Sequence, residues 1–188
     1  MMVCKNLKNG KARDNFGMIF ELFKPQVSGF DLQMSLLKLF NGMKKEIFIP
    51  DFMKSMIITS LWKRRGLMAD LSNQRGIFNL VKVRSILDKL LYQDSYPIIE
   101  KELSCSNVGG RKGRNIRDHL FVLYSIMNEV KAGHGESIDI TSIDIKKCFD
   151  ELMYSETHND IYDTNINDDK FALMAKLDEE AFVRVKHQ

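Results

Sequence analysis

Between Pro25 and Pro50 the apolar side chains Leu32, Leu36, Leu39, Phe40, Met43 and Ile47 recur at three- and four-residue steps. That spacing gathers them on one face of an α-helix, whereas the two-residue repeat of a strand would scatter them over both faces. Asp31 stands ahead of the run as a capping residue, and Pro50 breaks it. A second such stripe, Ile116, Leu120, Leu123, Met127 and Val130, begins after the capping residue Asn115 and ends at Gly133-His134-Gly135. It is expected to be a helix with that stripe buried.

Further helices are expected over 18–24, stopped by Pro25, and over about 80–93, with Pro97 restarting a shorter turn. Two more are expected over about 149–164 and 169–180. Residues 56–62 read as a strand from their Ile-Ile-Thr core, and 181–186 as a short closing strand. In the strand expected after Gly135, Ile138, Ile140 and Asp144 share a parity, so Asp144 would stand at its C-terminal end. The fold class expected is α+β and helix-rich.

The chain has 188 residues, 44% hydrophobic and 28% charged, which suits one globular domain or a piece of a larger one rather than a disordered chain. No run approaches the roughly 18 apolar residues of a membrane span, and the first eleven residues lack the apolar core of a signal peptide. A chain neither secreted nor membrane-spanning is expected. Three scattered cysteines, Cys4, Cys105 and Cys148, make no disulfide framework or metal knuckle and suit a reducing intracellular setting. The formal charge of +3 conceals an asymmetry: residues 1–135 carry 22 basic and 12 acidic side chains, residues 136–188 carry 6 and 13. Such a division favours nucleic-acid contact by the first part and metal or solvent at the second, or else two differently solvated faces of one domain.

Two motifs offer chemistry. The run Gly109-Gly110-Arg111-Lys112-Gly113-Arg114 puts cations and flexible backbone beside a helix start, as a phosphate-binding loop would, and as a solvated turn also does. It lacks the spacing of a P-loop. Asp144, at a strand tip in Ser142-Ile143-Asp144-Ile145, is placed either for a divalent cation or for capping the next helix. Asp139 has the opposite parity and is no second ligand. Asp163, Asn165 and Asn167 imitate a calcium loop, but Asp168 replaces the required Gly and Met174 the required Glu, so that reading fails. The four histidines form no cluster, and no Ser-His-Asp or Cys-His arrangement is present in sequence.

Taken in order, five segments resemble the reverse transcriptase domain of non-LTR (LINE-type) retrotransposons. KNGKARDNFGMIFELFK (8–24) resembles the block K-x-G-K-A-x-G-x-D-x-I-x-x-E-x-x-K that precedes the fingers. ITSLWKRRG (58–66) looks like the strand and turn I-x-x-x-x-K-x-G. NQRGIFNLVKVRSILDKLL (73–91) is similar to N-Y-R-P-I-S-L-L-x-x-x-x-K-I-x-E-K-I-L. NVGGRKGRNIRDHLFVL (107–123) resembles Q-x-G-F-R-x-G-R-S-T-x-D-A-I-F-x-L. IDIKKCFDEL (143–152) resembles the palm block x-D-x-x-K-A-F-D-x-V.

The resemblance implies a fingers-like region over 1–135 and a partial palm over 136–188, truncated before the Y/F-x-D-D turn. It implies an RNA-directed DNA polymerase using Mg²⁺, with an RNA template, a DNA primer and deoxynucleoside triphosphates as partners. Asp144 would be the first catalytic aspartate and metal ligand, helped by the backbone carbonyl of Ile145. Lys63 and Arg75 would hold the incoming triphosphate, Phe149 would close on the sugar, and Arg111, Lys112 and Arg114 would meet the template backbone. Two-metal transfer needs more than one carboxylate, so these 188 residues alone are expected to be inactive. The alternatives are a non-catalytic nucleic-acid-binding remnant and, more distantly, a helical interaction module.

Overall fold

The computed structural model describes residues 2–135, 137–145 and 151–185. Its class is mixed α+β, as expected, with seven α-helices and one three-stranded sheet among the described residues. The chain divides into two compact units, residues 1–96 with 165–188, and residues 97–164.

The first unit opens with α1 (Met2–Lys5) and a 3₁₀ turn over Phe20–Phe23, shorter than the helix expected over 18–24. Helix α2 (Pro25–Glu46) begins on Pro25 instead of after it, because a proline in the first turn has no N–H to waste and its φ already suits a helix. Gly29 breaks α2 with φ 65°, a left-handed value that glycine adopts without steric cost. The helix resumes beyond it, which puts Asp31 in the first turn of the resumed segment. Gln33 bridges the break by donating to the Phe23 carbonyl at 2.7 Å and to Ser28 Oγ at 2.8 Å.

Short α3 (Asp51–Lys54) leads into β1 (Ser55–Trp62), which pairs antiparallel with β2 (Gln74–Leu80). Helix α4 (Lys82–Glu102) follows and carries Pro97 within it. Helix α7 (Asp168–Glu179) leads to β3 (Phe182–Val185), which runs parallel to β1, so the sheet order is β2-β1-β3. Three helical stripes close the core: Leu36, Phe40 and Met43 of α2, Val83, Ile86, Leu87 and Leu91 of α4, and Leu173 and Leu177 of α7. Each such side chain contributes roughly 1.5–3 kcal/mol when fully buried.

The second unit holds the loop 104–115, α5 (Ile116–Lys131) and α6 (Tyr154–Asp163). Asn115 caps α5 through a reciprocal box: its side chain accepts from the Arg117 N–H at 2.8 Å, and Asp118 accepts the Asn115 N–H at 3.4 Å.

Two expectations need correction. No residue of α5 is buried, and Ile116 and Leu120 of its stripe are 66% and 42% exposed. Periodicity suffices to wind the helix, but burial requires a second surface, which the stripe does not itself encode. Residues 137–145 form neither helix nor strand. The sheet's two ladders join β1 to β2 and β3, and among the described residues 138–144 takes part in neither, so its alternation is not fixed by strand hydrogen bonds.

Candidate functional site

The hairpin of β1 and β2 places two predicted residues together. Leu61 pairs with Arg75 and Trp62 with Gln74, and the Lys63 N–H donates to the Asn73 carbonyl at 2.8 Å, extending the ladder by one step. Cross-strand partners share a face, as do alternate residues. Lys63, Leu61 and Arg75 therefore occupy one face of the hairpin tip, and Trp62 and Gln74 the other. Lys63 Nζ donates to the Ser72 carbonyl at 2.9 Å, while Arg75 is exposed.

The tip loop is tied internally. Asp70 accepts from the Ser72 hydroxyl and N–H, both at 2.8 Å, and these bonds hold its carboxyl below the usual range. Gln74 Nε2 reaches the Met68 carbonyl at 2.6 Å. Gly66 takes φ 63° with the Asn73 amide directly against it, at a point where a Cβ would collide. Lys63 thus stands at the start of a loop shaped by its own side chains, and Arg75 on the strand that leaves it.

In the second unit the predicted loop cations have different surroundings. Arg111 donates to Glu100 Oε1 from Nε at 3.0 Å and from Nη2 at 2.6 Å, and from Nη1 to the carbonyls of Ser104 at 2.7 Å and Asn107 at 3.0 Å. Its guanidinium, only 9% exposed, closes the loop on itself. Arg111 is thus engaged by Glu100 and by the carbonyls of its own loop. Lys112 and Arg114 are exposed on the same loop.

Asp144 and Ile145 are both exposed, in irregular chain. A carboxylate and a carbonyl in water are hard oxygen donors of the kind Mg²⁺ takes, leaving its other positions to water and phosphate. Among the described residues no group of three His, Cys, Asp or Glu side chains converges. Phe149 lies outside the described residues.

A site that pattern reading missed lies at the other end of the hairpin. Lys8, Lys11, Lys82 and Lys89 line a cavity of about 510 Å³ together with Phe20, Phe78, Asn79, Leu80 and Tyr92. Lys82 Nζ lies 4.9 Å and Lys89 Nζ 4.5 Å from the Phe20 ring centroid. Lys82 is 4% exposed, and burial lowers its affinity for a proton, an effect that Asp14 opposes. Burial likewise lowers that of Lys89, reinforced by the charges of Lys8, Lys11 and Lys82. The four stand up to 81 positions apart and share no motif. The only local signal was the basic opening segment that holds Lys8 and Lys11.

Among the described residues, no helix is long and apolar enough to cross a membrane. No protein-family model matches the chain, and no curated protein matches it.

Proposed function

We propose that this chain is the fingers region and first palm segment of an RNA-directed DNA polymerase, and that the β1–β2 tip grips the triphosphate of an incoming deoxynucleotide. The observation that carries the reading is the convergence of Lys63 and Arg75 on one face of one hairpin tip. The five ordered sequence blocks support it. Lysine brings a compact charge that swings between oxygens, and arginine a planar fork that binds phosphate in two places.

In this reading residues 1–135 are fingers-like and 136–188 are part of a palm. Lys112 and Arg114 meet the template backbone, and Phe149 closes on the sugar of the nucleotide. Asp144 and the Ile145 carbonyl would hold Mg²⁺, which stabilises charge on the transferring phosphoryl group when bound. Before transfer, Lys63 and Arg75 orient the triphosphate, and fixing geometry in this way supplies much of the barrier reduction in such reactions.

Trp62, the single tryptophan, sits beside the tip and reports on it. Titration of a deoxynucleoside triphosphate with Mg²⁺ and a primer–template should change its fluorescence saturably. Lys63→Ala and Arg75→Ala should each weaken binding about tenfold or more, the loss of one charge-assisted bond. Unchanged affinity in both variants would remove the triphosphate assignment. Binding that persists without extension, even after the segment is joined to a complementary palm and thumb, would favour the non-catalytic remnant.

A further inference from the structure

We propose that the cavity around Phe20 is a binding site for a chain of phosphates, such as a nucleoside triphosphate or inorganic polyphosphate presents, separate from the hairpin tip and independent of the polymerase reading. Lys8, Lys11, Lys82 and Lys89 line it, and among the described residues no carboxylate does. Lys82 and Lys89 both lean on the Phe20 ring, which brings their ammonium groups within about 10 Å of each other. Asp14 is the acid that acts on Lys82, but both its oxygens are engaged: Oδ1 accepts the N–H groups of Phe16 and Met18, and Oδ2 the N–H of Lys82.

Like charges gathered in a concavity repel one another, and two of the four, Lys82 and Lys89, are partly stripped of water. An anion that replaces the lost hydration relieves both costs at once. A surface lysine cluster in open solvent would gain far less, and this one is set in a cavity with a buried member. Its volume, about 510 Å³, falls within the roughly 300–1,000 Å³ typical of small-molecule sites. Four cations exceed what a single phosphate needs, and a concave pocket suits a compact phosphate chain better than a continuous strand, which needs a track along the surface. Asn79, whose Oδ1 accepts from Lys82 Nζ at 3.1 Å, keeps that ammonium at the wall.

The site is distinct from the tip because Leu80 stands five residues beyond Arg75 along β2, roughly 17 Å at strand rise. The test therefore uses the full chain carrying Lys63→Ala, Arg64→Ala, Arg65→Ala and Arg75→Ala, so that the tip's cations are removed. Calorimetry with inorganic tripolyphosphate should give saturable one-to-one binding with a submillimolar Kd. Adding Lys8→Ala and Lys11→Ala, both exposed, should weaken it at least about tenfold. Lys44→Ala with Lys45→Ala, on α2 and not lining the cavity, should leave it unchanged. In the unmutated chain, tripolyphosphate should protect Lys8, Lys11 and Lys89 from acylation but not Lys44 or Lys45, a readout that needs no substitution. Absence of saturation, equal weakening by the Lys44 and Lys45 changes, or tighter binding of an oligonucleotide lacking a terminal phosphate would overturn the proposal.

Discussion

Asp14 Oδ2 accepts the backbone N–H of Lys82 at 2.8 Å, a buried bond across 68 positions that fastens the opening segment to the start of α4. The same carboxylate accepts from Phe16 at 3.0 Å and Met18 at 2.9 Å. One side chain thus satisfies three backbone donors, two of them shaping the turn that precedes Phe20. Asp14→Ala leaves these donors unpaired and should cost about 3 kcal/mol or more. Urea unfolding would measure it, and a loss below about 1 kcal/mol would show that water replaces the carboxylate.

Arg111 and its loop neighbours should separate by assay. Arg111→Ala removes four hydrogen bonds, two of them to a carboxylate, and should destabilise the second unit by about 2–3 kcal/mol. Faster amide hydrogen exchange over 104–115 would report this. Lys112→Ala with Arg114→Ala, at two exposed side chains, should be read on nucleic-acid binding instead. If both touch phosphate, that pair should lower the slope of log affinity against log salt by about 1.4 for single-stranded nucleic acid. An unaltered slope would clear the loop of that role.

Asp88 should make stability fall between about pH 4 and pH 6. Its carboxyl is pushed up to about 6 by burial, against the pull of Arg84 and with the push of Asp178. The folded chain then keeps a proton that the unfolded chain gives up near pH 4, so folding is favoured below that point and the gain is lost as pH rises to about 6. The side chain is 36% exposed, and water limits the size of the effect. Asp88→Asn should flatten this part of the profile. Parallel denaturation profiles for the two proteins over pH 4–7 would contradict it.

Gly66→Ala tests the tip loop. Alanine at φ 63° costs about 1–2 kcal/mol, and its methyl would displace the Asn73 amide from the Leu67 carbonyl, now 3.2 Å away. Since Lys63 is paired to Asn73 through the backbone, triphosphate affinity read from Trp62 should fall while the core is untouched. Equal affinity would mean that the tip binds without a set shape.

What the sequence determined alone is what neighbours in the chain determine. The stripe through Leu36, Phe40 and Met43 winds α2, the Ile-Ile-Thr run makes β1, and Asn115 caps α5, because each depends on residues within a few turns. Glycine and charge likewise mark 109–114 as a loop. The second strand, Gln74–Leu80, is not among the strands that pattern predicts, since its Gln-Arg-Gly start becomes strand only by bonding to β1. The strand expected at 138–144 failed for the converse reason: alternation was present and a ladder partner was not. Lys63 and Arg75 were legible through the family resemblance, but their shared face came from hairpin register. The incompletely buried stripe of α5, the grip of Asp14 on Lys82, and the gathering of Lys8, Lys11, Lys82 and Lys89 around one cavity were decided by tertiary structure. Each depends on which distant surfaces meet, and that follows from how the whole core packs rather than from the spacing of residues along the chain.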